Sequence, residues 1–415
     1  MESTEPLTNA NLSVVLGSAM TAVAGMGFIV LAQRSLGSDE FEAIAHLWTI
    51  WSIAGAVAIF AVQQWIILAR RSGHVRLARL VDAQLLAALG ALALGVLVFT
   101  TIFRTDLFDQ TSLWWPLAAA CIPLGAVAIG LARGLWASRN RFGGLGLIIA
   151  LENVIRLTVG VVLVLFAASN GWFAGALLLG FLAAAVLPRS DTTGEDGQLD
   201  GASKSLLFAT ALAGLFSHSV INGGPTILAI AGPDDAPVAE LFLVLTIARV
   251  PLLLAVHGLL PIFAVEFNAL VVARQGHAIA TLRRKFAIVG VVGAIIVGVI
   301  GAFVGPVVAD VLFATEGRLG RLEYGLAVAL VVLAGAALTA NAALVAEART
   351  RYQIAAWAVP VVVGFGIIAL LGTPTARSIL VTVLIVEACI LFAVTQLASL
   401  TDPSEDLAPR PSPSM

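Results

Sequence analysis

Few residues in this chain have the chemistry to bind or exchange anything, and most of those lie inside long apolar runs. Glu152 and Arg156 stand four apart in one run, which sets them one turn apart on one face of a helix. Either they neutralise each other and hold helices together, or Arg156 faces a cavity and binds an anion while Glu152 orients it. Arg249 precedes Pro251 by two residues and has no acidic residue within a turn. Its counter-charge must come from another helix, from water or from a ligand, and Glu387, another deep carboxylate, is a candidate bridge. A guanidinium fork suits a bidentate phosphate or pyrophosphate, which favours Arg249 as a ligand contact. His218, Ser219 and Asn222 lie just before Gly223-Gly224-Pro225. His218 and Asn222 are further candidate contacts; His218 and Glu387 are candidates for taking up a coupling proton, and His218 also reads as a hydrogen-bonded packing residue. Gly27, in Gly25-x-Gly27, and Gly223, Gly224 and Pro225 are candidate hinges, or small residues that let helices approach closely. No metal-ligand cluster, phosphate-binding loop or nucleophile–base motif is present, so no metal, cofactor or catalytic residue is expected.

Those residues need long apolar helices to carry them. Of 415 residues 60% are hydrophobic and 12% charged, with a mean hydropathy of +1.00. Water-soluble domains are nearer half apolar and a quarter charged. The solvent for most of the chain is therefore lipid. A net charge of −2 speaks against a nucleic-acid partner. Cys121 and Cys389 sit in apolar runs and read as small buried hydrophobes. The acidic start, Met-Glu-Ser-Thr-Glu-Pro, lacks the basic region of a cleavable signal. Arginine outnumbers lysine 21 to 2, which suggests a GC-rich bacterial genome and hence a bacterial cytoplasmic membrane.

A crossing needs about 20 apolar residues. Twelve such segments are predicted, at about 11–32, 43–68, 81–103, 113–135, 143–168, 172–187, 205–231, 240–264, 286–313, 325–346, 353–371 and 377–399. Their joints are brief and polar, Arg34 to Glu42 and Arg104 to Ser112 among them. The division is a first lobe over 1–187, a Gly/Asp/Thr-rich cytoplasmic linker over 188–204, a second lobe over 205–400 and a disordered cytoplasmic tail over 401–415. With the N-terminus inside, sixteen basic residues fall on inner segments and five on outer loops. The prediction is thus an all-α membrane protein of about twelve crossings, both ends cytoplasmic. Trp48, Trp51, Trp65, Trp114, Trp115, Trp136 and Trp172 read as mostly interfacial anchors.

The halves echo each other. Leu36-Gly37-Ser38-Asp39-Glu40 matches Ala231-Gly232-Pro233-Asp234-Asp235; Arg70-Arg71-Ser72-Gly73-His74 matches Arg274-Gln275-Gly276-His277; Arg139-Asn140-Arg141-Phe142 matches Arg349-Thr350-Arg351-Tyr352. A shift of six crossings preserves direction, so the repeats are parallel, with a path between lobes and a means of alternating access. One chain then suffices as a monomer; the sequence leaves the oligomeric state open.

The stretch Leu31–Arg71, with Arg34, Leu36, Gly37 and Phe41 at its turn, and the stretch Arg139–Leu157 resemble bacterial polysaccharide and lipid-linked oligosaccharide flippases of the multidrug/oligosaccharidyl-lipid/polysaccharide exporter superfamily. Glu42 departs from the small residue common there. The resemblance implies export of a sugar-lipid or related amphiphilic anion. A small-molecule or drug antiporter of the same fold is the alternative, opposed by the scarcity of deep acids. A membrane glycan polymerase or ligase fits less well, because every outer loop is short.

Overall fold

The computed structural model describes residues 7–71, 83–109, 111–139, 141–186, 201–258, 267, 270–271, 273–315, 317–347 and 350–397. Every regular element among them is a helix, as a chain in lipid requires: with no water to satisfy backbone N–H and C=O groups, the segment must bond to itself. In order these are α1 (Leu7–Ala54), a π-helical stretch (Gly55–Phe60), α2 (Ala61–Arg71), α3 (Ala83–Ile102), α4 (Arg104–Phe108), α5 (Trp114–Ala137), α6 (Phe142–Leu165) and α7 (Asn170–Leu179) with a 3₁₀ extension (Gly180–Ala185). Then follow α8 (Gly201–Asn222), α9 (Gly224–Ala231), α10 (Val238–Gly258), α11 (Gly276–Phe313), α12 (Arg321–Ala346), α13 (Thr350–Leu370) and α14 (Ala376–Leu397).

Helix α1 contains one non-helical residue, Gly37, at φ 76 and ψ 173. A side chain there would be strained, so glycine marks the corner between the first two crossings. The loop expected from Arg34 to Glu42 is in fact helix on both sides of that corner. Eight helices are long and apolar enough to cross a membrane, the kinked α1–α2 counted once. The sixth crossing is α7 with its extension, the seventh is α8 and α9 in series, and the eighth is α10. Twelve crossings in two lobes of six result. Helix α11 reaches 38 residues because it absorbs Arg283, Arg284 and Lys285, which the sequence placed in a joint. The 188–200 part of the expected linker and the 401–415 tail lie outside the described residues; α8 already begins at Gly201.

The first-lobe core is built on α1 against α6. Gly17 and Gly146 meet at their crossing: a Cβ on Gly17 would strike the Gly146 carbonyl, and one on Gly146 the Ser13 carbonyl. Thr21 donates to the Ile149 carbonyl close by. In the second lobe, α11 lies on α12 through Gly290, Gly298, Gly301 and Gly305. Its opposite face, with Val289, Ile295, Phe303 and Val307, is exposed, as a lipid-facing surface should be. Cys121 and Cys389 are likewise exposed on the outside of the bundle, not buried as expected, and neither is in a disulfide. Trp357 donates to Asn341 at 3.2 Å, so Asn341 ties α12 to α13.

The lobes touch where α1 lies along α10, where α8 lies against the π-helical stretch and α2, and at the end that carries Gly37 and Phe313. Arg34 donates through Nε to the Leu312 carbonyl at 2.8 Å and through Nη2 to that of Val311 at 2.6 Å. The Phe41 and Phe242 rings lie 5.8 Å apart beside that contact.

Because backbone sits where a side chain would go, Gly146→Val should lower the detergent-solubilised melting temperature and cost about 1–3 kcal/mol. Gly95→Val, with nothing within 4 Å of its Cβ, should leave the melting temperature unchanged.

Candidate functional site

Two groups of buried polar residues stand out, one in each lobe. In the first lobe, α6 presents Glu152, Asn153 and Arg156 inward, all 2% exposed or less. The Arg156 guanidinium uses every nitrogen: Nε donates to the Leu177 carbonyl at 2.9 Å, Nη1 to Asn153 Oδ1 at 2.8 Å and Nη2 to Glu152 Oε1 at 2.9 Å. Trp51 and Phe181 cover it, their ring centroids 4.5 and 5.5 Å from its Cζ. Gly180 leaves the room that its side chain occupies: a Cβ there would lie 2.5 Å from Nε.

Glu152 is correspondingly saturated. Its Oε1 also accepts from Trp51 Nε1 at 3.1 Å, and its Oε2 accepts from Arg133 Nη2 of α5 at 2.9 Å. One carboxylate therefore clamps helices α1, α5 and α6 together. Of the two readings of this pair, the geometry matches the one in which the charges neutralise each other and hold helices together. The Arg156 nitrogens are committed inside the lobe, and Arg156 and Glu152 act as a brace in this conformation. Three members escaped the sequence reading. Arg133 was counted only as an inner basic residue, and Trp48 and Trp51 were read as interfacial, whereas they lie 5.9 and 4.5 Å over the Arg156 guanidinium.

The second lobe differs. Helix α8 stops at Asn222 and α9 starts at Gly224, so the seventh crossing is broken at Gly223. Pro225 explains the break. It has no N–H, so the carbonyl four residues back, that of Ile221, loses its helical donor. Arg249 of α10 supplies the missing donor: its Nη2 reaches the Ile221 carbonyl at 3.0 Å. Arg249 is 7% exposed and its Nε has no partner. Among the described residues no carboxylate pairs with it, so the Arg249–Glu387 bridge considered above is not formed. Next to the break, Asn222 donates to the His218 carbonyl at 2.9 Å while its own Oδ1 is buried and unpartnered. The His218 ring meets Ser217 Oγ at 3.1 Å. Glu387 on α14 is fully buried among Val383, Ile390 and Leu391, and neither of its oxygens has a partner.

Arg249, His218 and Asn222 are thus brought together at the α8–α9 break, along with Gly223, Gly224 and Pro225. Glu387 has no ion-pair partner among the described residues, and Glu152 and Arg156 belong to the other lobe. Gly27 is not a break here: α1 runs helically through it, and a Cβ would lie 3.1 Å from Leu157, so close packing accounts for it. Two open pockets, one beside Gly364 and Thr382 and one beside Pro233 and Arg318, are lined by second-lobe residues, and neither includes Arg156 or Arg249.

No family model matches the sequence. An uncharacterised protein of Mycobacterium tuberculosis is 26% identical over 380 residues, covering 85% of this chain and 84% of that protein, and a Mycobacterium bovis protein matches equally. Among solved structures, an outward-facing multidrug resistance MATE family transporter of the MOP superfamily has a TM-score of 0.63 at 13% identity, covering 96% of each chain. A MOP superfamily transporter from Pyrococcus furiosus, reported to have a binding pocket of reverse polarity, has a TM-score of 0.65 at 13% identity, over 95% of this chain and 94% of that one. An inward-facing MATE transporter has a TM-score of 0.61 at 15% identity over 94% of each chain. The chain has the twelve-helix, two-lobe fold of MOP superfamily transporters.

The brace makes a stability prediction. Glu152→Gln leaves the Arg133 and Arg156 guanidiniums buried without their counter-charge, which should cost about 3–5 kcal/mol. A thermal unfolding series in detergent should show that loss; a melting temperature equal to that of the parent protein would contradict the clamp.

Proposed function

We propose that this chain is an alternating-access membrane transporter that moves an amphiphilic anion, of the class of lipid-linked oligosaccharide or polysaccharide precursors, across a bacterial cytoplasmic membrane, with both termini cytoplasmic. The observation that carries this reading is Arg249: a buried guanidinium in the second lobe with no carboxylate partner among the described residues and with Nε unpartnered. Holding an ionised group in a lipid-surrounded bundle costs roughly 2.5–3.5 kcal/mol on insertion scales, so such a charge is normally matched by a partner or reserved for a ligand. A pyrophosphate offers the two-oxygen edge that a guanidinium prefers. The sequence resemblance to polysaccharide and lipid-linked oligosaccharide flippases and the MOP fold support the same reading. His218 and Asn222 stand where they would line the same site, beside a break that two glycines and a proline make easy to bend.

A second reading is favoured by a separate observation. Glu387 is a buried carboxylate with both oxygens unpartnered. A carboxylate so placed is stable when it holds a proton or a cation, which is what a drug antiporter of this fold needs for coupling. In that case Glu387→Gln should abolish gradient-driven efflux of a cationic dye from proteoliposomes.

The two readings separate in one assay. Proteoliposomes are loaded with a fluorescent polyprenyl-pyrophosphate sugar, and inward and outward leaflet populations are read by quenching with an impermeant reductant. Losing a charge-assisted hydrogen bond is worth about 1.5–3 kcal/mol, so Arg249→Ala should slow flipping at least tenfold while the protein stays inserted. Equal rates in the two proteins would remove Arg249 from the site.

A further inference from the structure

The hydrogen bond from Arg249 to Ile221 has a second consequence, which rests on the reading of Arg249 as the anion contact. In an unbroken helix the Ile221 carbonyl would accept from residue 225; because that residue is proline, the acceptor is left for a side chain. The Arg249 Nη2 takes it at 3.0 Å, across from the neighbouring helix α10. The unpartnered Nε lies on the same edge of the guanidinium as Nη2. An anion that takes this edge with two oxygens uses the Nε–H and one of the two N–H groups of Nη2, so the guanidinium must turn toward the anion for Nη2 to leave the carbonyl. Both bonds have an ionised donor, but an anionic oxygen adds charge–charge attraction that a neutral carbonyl lacks, and that attraction is strong in a low-dielectric interior, which favours the anion in the exchange.

We propose that Arg249 is shared between the cargo's anionic group and the Ile221 carbonyl, so that anion binding withdraws the donor that holds the α8–α9 break and thereby couples occupancy to bending of the seventh crossing. Once its donor is gone, the Ile221 carbonyl must find another, and the chain can move to meet one. Gly223 and Gly224 lie immediately beyond it, where a change of backbone angle costs least. The Ser219 carbonyl accepts the Gly223 N–H at 2.7 Å and the Gly223 carbonyl accepts the Ile227 N–H at 2.9 Å, so the turns on both sides of Gly223 stay bonded while the Arg249 bond is exchanged. A ligand thus acts on the helix by removing a bond from it, and a free site keeps the helix held. The partition is a differential interaction with two conformations, as a ligand-driven change requires.

Pro225→Ala separates sharing from simple binding. It restores the N–H at position 225, gives Ile221 its helical partner, and leaves Arg249 free for the anion alone. In lipid nanodiscs, with inorganic pyrophosphate and a short-chain prenyl pyrophosphate as probes, Pro225→Ala should bind about tenfold more tightly, equivalent to ~1.4 kcal/mol. In the flipping assay the same variant should turn over more slowly than the parent, because occupancy no longer releases the break. Spin labels at positions 208 and 234, on either side of the break, should report a pyrophosphate-induced distance change in the parent and none in the variant. Pro225→Gly, which also restores the N–H but adds no side chain, guards against a folding defect and should behave alike. Unchanged or weaker binding in both proline variants, with binding lost in Arg249→Ala, overturns the sharing and leaves the anion site standing. Parent-like binding in Arg249→Ala overturns both.

Discussion

A proline inside a membrane helix leaves one carbonyl without a donor, and lipid offers no water to replace it. In the seventh crossing that carbonyl belongs to Ile221, and the donor comes from Arg249 on the next helix. Much else in the second lobe follows from this exchange. It keeps a guanidinium buried without a carboxylate beside it, and it fixes α10 against the point where α8 ends. It places His218 and Asn222 next to a cation, beside two glycines at which the backbone is helical in angle and inexpensive to bend. A second donor for Ile221 would make Arg249 an uncompensated charge; a residue other than proline at 225 would make the guanidinium unnecessary to the helix.

The two lobes handle charge in opposite ways. In the first, Glu152 takes hydrogen bonds from Arg133, Arg156 and Trp51, and Arg156 spends its remaining nitrogens on Asn153 and the Leu177 carbonyl. Apart from Arg133 Nε, which is buried without a partner, this network is satisfied, and it rigidifies the helices that it joins. In the second lobe Arg249 Nε, Asn222 Oδ1 and both Glu387 oxygens are buried without partners. The first lobe also holds buried unpartnered atoms, Gln33 Oε1, Thr49 Oγ1 and Trp65 Nε1 among them; what sets Arg249 apart from Arg133 and Arg156 is the lack of a carboxylate partner among the described residues. The lobes meet at the Gly37 end through Arg34 and the Phe41–Phe242 ring pair, and also through α8 against the π-helical stretch and α2.

The crossings were legible in the sequence because their signal is local: runs of apolar residues of membrane-spanning length between short polar joints. The corner at Gly37 was placed correctly, but its tightness was not, since only the backbone angle shows that one residue makes the turn. The i, i+4 relation of Glu152 and Arg156 was legible for the same reason of locality. Their third partner, Arg133, was not: it lies on another helix, and a run of arginines near a membrane edge looks the same whether one of them turns inward or all face the cytoplasm. Trp48 and Trp51 were misjudged as anchors because distance from a helix end is a one-dimensional measure, and what they cover is a guanidinium on α6. The sequence named Pro225 and Arg249 separately. That the carbonyl freed by one is met by the other depends on how α8 packs on α10, which spacing along the chain does not encode.

The most direct test of the account is a structure of the protein in lipid with a polyprenyl-pyrophosphate sugar bound. The account predicts the pyrophosphate within hydrogen-bond distance of Arg249, with Nη2 drawn off the Ile221 carbonyl and the α8–α9 segment at a changed angle. A bound ligand lying elsewhere, with Arg249 still on Ile221 and the break unaltered, would contradict it.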